Sequence, residues 1–420
     1  MRRCGSSRLA ALLGVAGVCA LISVSQTFTA ATATNKAIRT PRCAVKERER
    51  IATTAVDEPT RETPGPADAI LRVANGEVLE RTPVWLMRQA GRYMKSFRDY
   101  SDFIPFRKRS ETPSMAMELS LQCWRRYGMD GVIMFSDILT PLPALGIHFD
   151  VVRGKGPVVD GDFKNLQEAL KDVHALESPD QFEASHHYVR RTLEGLKRET
   201  AGQCSLLGFI GAPLTLAAYT IEGGSMSKGA MVFKRKLYEE REAVEEFLDR
   251  LTRSLANYAV YQVKSGAESI QIFDSWAHCL TPAEWLEFAA PYVKSVAATI
   301  RKECPGVPLI YFAYGGSSYF RDQVEALAGH VDVLQVDQYI RMSEATKIAE
   351  GSGLVLQGNV DPNILRYGSE QQVREVVRQT IDEAGGPGRH ILNLGHGVMQ
   401  GTPEENVLYF VEEAQAYSGK

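Results

Sequence analysis

The chain has 420 residues, 44% hydrophobic and 24% charged, with a formal charge of −3. That is globular composition, with length for one large or two medium domains. Residues 1–46 hold seven basic and no acidic side chains, which leaves 41 basic against 51 acidic over the rest and excludes a broad basic field for nucleic acid or an anionic membrane surface.

Arg2, Arg3 and Arg8 precede an apolar stretch over residues 9–24. A basic start, a short apolar middle and small residues after it are the pattern of a secretory signal. The stretch is short for a membrane span and contains Gly14 and Gly17. Residues 25–46 are basic, free of acid and rich in Thr, Ala and Ser, which is transit-peptide composition. We therefore expect a bipartite leader: a signal-like segment over 1–27, then a transit-like segment and charged, Pro-rich junction over 28–66. This predicts delivery to the plastid stroma through the secretory route. The alternatives are the secretory pathway itself or the cytoplasm. No Asn-x-Ser/Thr sequon occurs, and four widely spaced cysteines (Cys123, Cys204, Cys279, Cys304) follow the leader without a CxxC pair. Neither a disulfide framework nor a zinc site is suggested. No stable membrane insertion of the mature chain is expected.

From residue 83 onward short apolar runs alternate with longer amphipathic stretches. The runs lie at 84–87, 131–135, 205–210, 269–273, 308–312, 332–336, 354–357 and 391–394. Several are continuously apolar, as strands buried on both faces of a parallel sheet must be. Ser178-Pro-Asp-Gln181, Thr281-Pro-Ala-Glu284 and Thr402-Pro-Glu-Glu405 read as capping boxes with proline at the first helical position. Eight strand–helix units predict one (β/α)8 barrel over residues 67–420, with an open doubly wound sheet as the alternative. No GxGxxG follows the first strand and no Walker sequence occurs, which disfavours nucleotide-binding versions of the open sheet. One unit is oversized. Residues 146–157, an alternating run closed by Gly154-Lys155-Gly156, predict a hairpin inserted after the second strand, with a helix carrying His186-His187 on its surface.

In a barrel of this kind the chemistry sits at the C-terminal strand ends. The first run delivers Arg88 and Arg92 across Gln89-Ala90-Gly91. Two permanent guanidinium charges on a small-residue loop suit a ligand with several carboxylates, because such groups bind carboxylate bidentately. The second run delivers Asp137 between apolar neighbours, either a loop-end structural carboxylate or an acceptor for ligand N–H groups in an apolar cavity. Tyr219, Ser275 and His396 follow the third, fourth and eighth runs. Each could instead be structural: a core phenol, a loop cap, a satisfied imidazole. Asp274, Asp337 and Asp361 read equally well as loop-end carboxylates. No lysine stands at a strand end, and no HxH, HExxH or Gly-x-Ser-x-Gly occurs. Schiff-base, zinc-hydrolase and serine-hydrolase chemistry are disfavoured.

Four stretches carry a family resemblance: Pro83-Val84-Trp85-Leu86-Met87-Arg88-Gln89-Ala90-Gly91-Arg92, Phe135-Ser136-Asp137-Ile138-Leu139, the Gly208 to Gly223 segment with Pro213, Thr215, Tyr219 and Glu222, and Asn393-Leu394-Gly395-His396-Gly397. Over about residues 68–418 the chain resembles uroporphyrinogen decarboxylase. The resemblance implies a (β/α)8 barrel, an enzyme with no cofactor and no metal, and usually a homodimer. It implies conversion of the four acetate arms of uroporphyrinogen III to methyls, giving coproporphyrinogen III and CO2. By position, Arg88, Gln89, Ala90, Gly91 and Arg92 would hold substrate carboxylates, and Asp137 would meet the pyrrole N–H groups. Tyr219, Ser275 and His396 would line the cleft. Asp137 and Arg88 would be the catalytic pair. The family usually continues Leu-Pro-Glu after the Arg-Tyr pair, whereas Met94-Lys95-Ser96 stands here. A related barrel, the corrinoid- or thiol-directed methyltransferases, carries a His-x-Cys zinc pair near the fifth strand end, where this chain reads Tyr311-Phe-Ala-Tyr314-Gly315. A non-catalytic tetrapyrrole carrier is the other rival, and the presence of Asp137 with both arginines argues against it.

Overall fold

The computed structural model describes residues 65–161, 163, 165–224 and 229–419. The expected leader, 1–27 and 28–66, lies outside the described residues apart from 65 and 66. Seven strands, β1 (Gly131–Ile133), β4 (Ser205–Gly211), β5 (Ser269–Asp274), β6 (Leu309–Ala313), β7 (Val333–Gln335), β8 (Val355–Val360) and β9 (Ile391–Leu394), pair in parallel in that order. β2 (Phe149–Val152) and β3 (Gly156–Val159) form a separate antiparallel hairpin between β1 and β4. Every residue of β4, β5, β6 and β9 is buried, because the sheet has barrel interior on one face and helices on the other.

The eighth member is not a regular strand. Val84 makes a single parallel bridge to Leu392 of β9, supported by Leu392 N–H donating to the Pro83 carbonyl at 2.9 Å. On its other side the Val84 N–H donates to Asp130 Oδ2 at 2.8 Å, and the Asp130 N–H returns to the Val84 carbonyl at 2.9 Å. A side-chain carboxylate thus takes the donor that a neighbouring strand would otherwise use. Arg81 holds that carboxylate through Nη1 at 3.0 Å and Nη2 at 2.5 Å. Residues 83–85 join both edges of the sheet and close the barrel.

Trp85, Met87, Leu207, Phe209, Phe273, Ile310 and Phe312 fill the barrel interior, and the short helix Ala69–Ala74 packs Ile70 and Val73 against them. Gly131 leaves room at the foot of β1: a Cβ there would lie 2.7 Å from Ile70 Cδ1 and 2.8 Å from Leu207 Cδ1, and those side-chain ends would have to shift. A ring of amides crosses the interior. Gln357 accepts from Trp85 Nε1 at 2.9 Å and donates to Gln271 at 3.1 Å and Gln335 at 2.9 Å. Gln357 is satisfied by these neighbours, as a group shut away from water must be, while Gln271 Nε2 has no partner among the described residues.

Two local expectations need correction. The capping boxes at Ser178 and Thr281 form, but the one at Thr402 does not. Pro403 is the cap of the helix Glu404–Ala416, and no side-chain cap bond is made. The Thr402 hydroxyl is buried without a partner among the described residues. His186, expected at the surface, is 1% exposed. Its Nε2 donates to the Thr140 carbonyl at 2.7 Å and its Nδ1 accepts from the Ser185 hydroxyl at 2.7 Å. A kink at His186 in the helix Glu183–Thr200 turns that ring inward, which a regular helical projection could not reveal.

His390, just before β9, is 1% exposed and neither ring nitrogen has a partner among the described residues. Burial pushes its imidazole down to about 3 from 6.5. The folded state therefore binds this proton less readily than the unfolded chain, so stability present above pH 6.5 is lost as pH falls towards 3. At pH 5 this amounts to ~2 kcal/mol. His390→Phe should shrink the pH 7 to pH 5 loss by about that amount in urea titrations. An unchanged loss would show that His390 is not its source.

Candidate active site

Arg88, Asp137, Tyr219, Ser275 and His396 all follow the C-terminal ends of barrel strands, and each keeps some exposed surface. Arg88 is exposed and has φ +59°, a left-handed conformation uncommon for a side-chain-bearing residue. The turn is held from below. Asn393 Oδ1 accepts from the Met87 N–H at 2.9 Å, and Gln89 Oε1 accepts from the Leu86 N–H at 3.2 Å. Gln89 Nε2 donates to the Gly131 carbonyl at 3.1 Å, and the Gln89 side chain is fully buried. Gln89, expected to contact a ligand, instead fastens the loop to β1, and its side chain does not face the cleft. Its position between two ligand-type arginines gave no sign of this. The Arg88 stem lies along Gly397, where any Cβ would collide with it, so the glycines flanking His396 make room for the arginine as well.

The two arginines are in different states. Arg88 has no hydrogen-bond or ion-pair partner among the described residues, while Arg92 pairs with Asp102 at 3.0 Å. Asp102 is shared with Arg153, at the turn of the β2–β3 hairpin, at 3.4 Å. Asp102 competes with a ligand carboxylate for the Arg92 charge, whereas Arg88 meets one unopposed. The Arg92 carbonyl is held by Arg98 at 2.9 Å. Met94, in the departure from the family pattern, is buried 3.5 Å from Cys123 Sγ, and Lys95 points to solvent. No contact from Met94 or Lys95 to Arg88 or Arg92 is seen among the described residues. Ala90 and Gly91 remain partly exposed between the arginines.

Asp137 begins a tight turn after β1. The Thr140 N–H donates to the Asp137 carbonyl at 3.1 Å, and the Leu139 N–H donates to Asp137 Oδ1 at 2.8 Å. Oδ2 has no partner among the described residues. Removal from water raises this carboxyl above its ordinary range, against the Leu139 N–H and the Arg88 charge, which both lower it. His186, anchored on Thr140, ties the inserted segment to this turn.

His396 Nδ1 accepts from the Gly397 N–H at 2.6 Å, which assigns the proton to Nε2. Burial, then the charges of Arg88 and His278, hold the imidazole down to about 4. At neutral pH it is a neutral N–H donor and not an acid. Tyr219 is raised by burial and feels both Asp137 and Arg88. Arg88 thus acts electrostatically on Asp137, Tyr219 and His396 together.

Sequence reading missed the wall between these groups. Tyr219 meets Trp276 edge-on with centroids 5.3 Å apart. Trp276 meets His278 at 5.2 Å, His278 meets Tyr314 at 5.4 Å, and Tyr314 meets His396 at 4.4 Å. Tyr314 stands at a strand end, which was the only signal available. Among the described residues no three His, Cys, Asp or Glu side chains are grouped to hold a metal ion.

The arrangement offers guanidinium groups on one rim for carboxylates, a partly dehydrated aspartate with one oxygen unpartnered among the described residues, and a run of edge-on and tilted aromatic rings. The family model described as uroporphyrinogen decarboxylase (URO-D) matches residues 65–417. A curated uroporphyrinogen decarboxylase of Synechocystis sp. is 44% identical over 347 residues, covering 82% of this chain and 96% of the relative. One from Microcystis aeruginosa is 43% identical over 350 residues, covering 83% and 97%. Among solved structures, a methyltransferase from Methanosarcina mazei superposes with a TM-score of 0.68 at 18% identity, covering 82% of this chain and 97% of that one. That likeness shows the fold alone.

Proposed function

Since the chain belongs to the uroporphyrinogen decarboxylase family, we propose that it removes CO2 from the four acetate arms of uroporphyrinogen III and yields coproporphyrinogen III. The observation that carries this reading is the free Oδ2 of a dehydrated Asp137 beside an unpaired Arg88. Loss of CO2 leaves an electron pair on the methylene carbon, and it needs a sink. A pyrrole can serve once a ring carbon is protonated. The C–C bond breaks, the pair enters the cationic ring, and the exocyclic methylene is then protonated to methyl as the ring carbon returns its proton. One proton is consumed for each CO2. Asp137 is placed to accept pyrrole N–H bonds and to stabilise that cation. Arg88 orients the departing carboxylate and is the candidate to pass the proton. Arg92, Ala90 and Gly91 complete the clamp, and Tyr219, Ser275 and His396 hold the remaining arms.

The same reading takes residues 67–420 as the catalytic domain, working as a homodimer, with the preceding leader directing it to the plastid. The similarity to cyanobacterial enzymes supports that destination. Among the described residues no helix is long and apolar enough to cross a membrane. Sedimentation of the purified protein tests the dimer, and import of a leader–fluorescent-protein fusion tests the address.

The central test is incubation of residues 67–420 with uroporphyrinogen III, anaerobically and with nothing added. Stepwise seven-, six- and five-carboxylate intermediates and then coproporphyrinogen III are expected on chromatography. Unchanged substrate, or turnover that appears only when a metal ion is supplied, overturns the reading.

A further inference from the structure

Asp274 closes β5 immediately before Ser275, and it is fully buried. Phe273 beside it points into the barrel, so Asp274 points outward, into the layer between sheet and helices. Its carboxylate ends two hydrogen-bond chains. On one side the Trp276 N–H donates to Thr215 Oγ1 at 3.2 Å, and the Thr215 hydroxyl donates to Asp274 Oδ1 at 2.6 Å. On the other, Trp285 Nε1 donates to the Tyr311 hydroxyl at 3.0 Å, which donates to Asp274 Oδ2 at 2.8 Å. Thr215, Tyr311 and Trp285 are all fully buried. The Asp274 carbonyl also accepts from the Tyr314 N–H at 3.2 Å.

Both chains run towards the carboxylate, and only an anion with two acceptor oxygens can terminate both. Thr215 lies one turn before Tyr219 in the helix Pro213–Glu222, so fixing Thr215 fixes the azimuth of Tyr219. Thr215 also fixes the turn carrying Ser275 and Trp276, and Trp276 in turn buttresses the Tyr219 ring. One buried group thereby sets the relative positions of two expected ligand contacts that come from different strands.

We infer that Asp274 is a positioning residue for the reaction, holding Tyr219, Ser275 and Trp276 in register through Thr215. The inference rests on the decarboxylase reading. The half of the network through Thr215 leads to the site, and the half through Tyr311 leads away to the outer helix Pro282–Phe288 that carries Trp285. A merely structural carboxylate would be equally sensitive on both sides.

The experiment compares Thr215→Val, Thr215→Ser, Tyr311→Phe and Asp274→Asn for steady-state decarboxylation of uroporphyrinogen III and for thermal stability. Thr215→Val removes the link with little change of shape, and kcat/KM should fall about tenfold, mostly in KM, because the wall holds ground and transition states alike. Thr215→Ser restores the hydroxyl and should recover to within about twofold. Tyr311→Phe should lower the melting temperature and leave kcat/KM within about threefold. Asp274→Asn cannot terminate both chains and should lose at least as much as Thr215→Val. If it fails to fold, the two Thr215 variants decide alone. Wild-type kcat/KM in Thr215→Val, no rescue by Thr215→Ser, or equal losses in Thr215→Val and Tyr311→Phe overturns the inference. An inert wild type overturns the functional reading instead, so the two failures are distinct.

Discussion

Asp137→Asn is expected to lower turnover of uroporphyrinogen III by at least about 10²-fold while leaving the fold intact. Asparagine has nearly the shape of aspartate, and its oxygen can still accept the Leu139 N–H that now bonds Oδ1. What is lost is the charge and the second acceptor. An amide N–H2 would then face the pyrrole N–H groups, donor against donor. A fixed charge beside a developing cation is worth ~3–4 kcal/mol in such sites, which converts to about 10²- to 10³-fold in rate. The measurement is kcat in single-turnover mixing, with circular dichroism and the melting curve as controls. Turnover near wild type would remove Asp137 from the chemistry.

The second large effect belongs to Arg88→Ala. Arg88 is exposed and makes no ion pair among the described residues, so its removal costs the fold little. A charge-assisted contact to a substrate carboxylate contributes ~1.5–3 kcal/mol, and kcat/KM should fall about 10- to 100-fold on that account. A second signature follows from sign. The Arg88 charge lowers the Asp137 carboxyl against the burial that raises it. The anionic form is the active one, so activity is lost as pH falls through the Asp137 pKa. Removing Arg88 lets that pKa rise, and the acid limb of the kcat/KM profile should move to higher pH. Arg92→Ala should cost less, because Arg92 already spends its charge on Asp102. A greater loss in Arg92→Ala than in Arg88→Ala, or an unmoved acid limb, would contradict this division.

The seven regular strands were legible as short, largely apolar runs, several of them continuous because both faces are buried, and the runs at 205–210 and 269–273 fall inside β4 and β5. The segment at 84–87 was legible as apolar but not as a single-bridge closure, since that depends on Asp130, distant in sequence. Candidate site residues within a few positions of an apolar run, Arg88, Asp137, Ser275 and His396, could be picked out by position alone. Their supports could not. Asp274 meets Thr215 across 59 residues and Tyr311 across 37, and no local pattern encodes such partners. Gln89 was misjudged because spacing shows where a side chain starts and not which way it turns. His186 was misjudged because a backbone kink broke the period on which the reading rested. The wall of Trp276, His278 and Tyr314 comes from the ends of β5 and β6, which parallel pairing sets side by side, and the turns after them aim the rings in a way no local pattern encodes.

The seam at Val84 has a mechanical consequence. Six strand junctions are ladders of three or more paired residues, while the segment bearing the arginine loop bridges β9 at one residue pair and is otherwise held largely by the side chains of Asp130, Gln89 and Asn393. A four-armed substrate held by that loop would load the seam with the fewest ladder rungs, and a shift of the mount as acetates become methyls would break few of them.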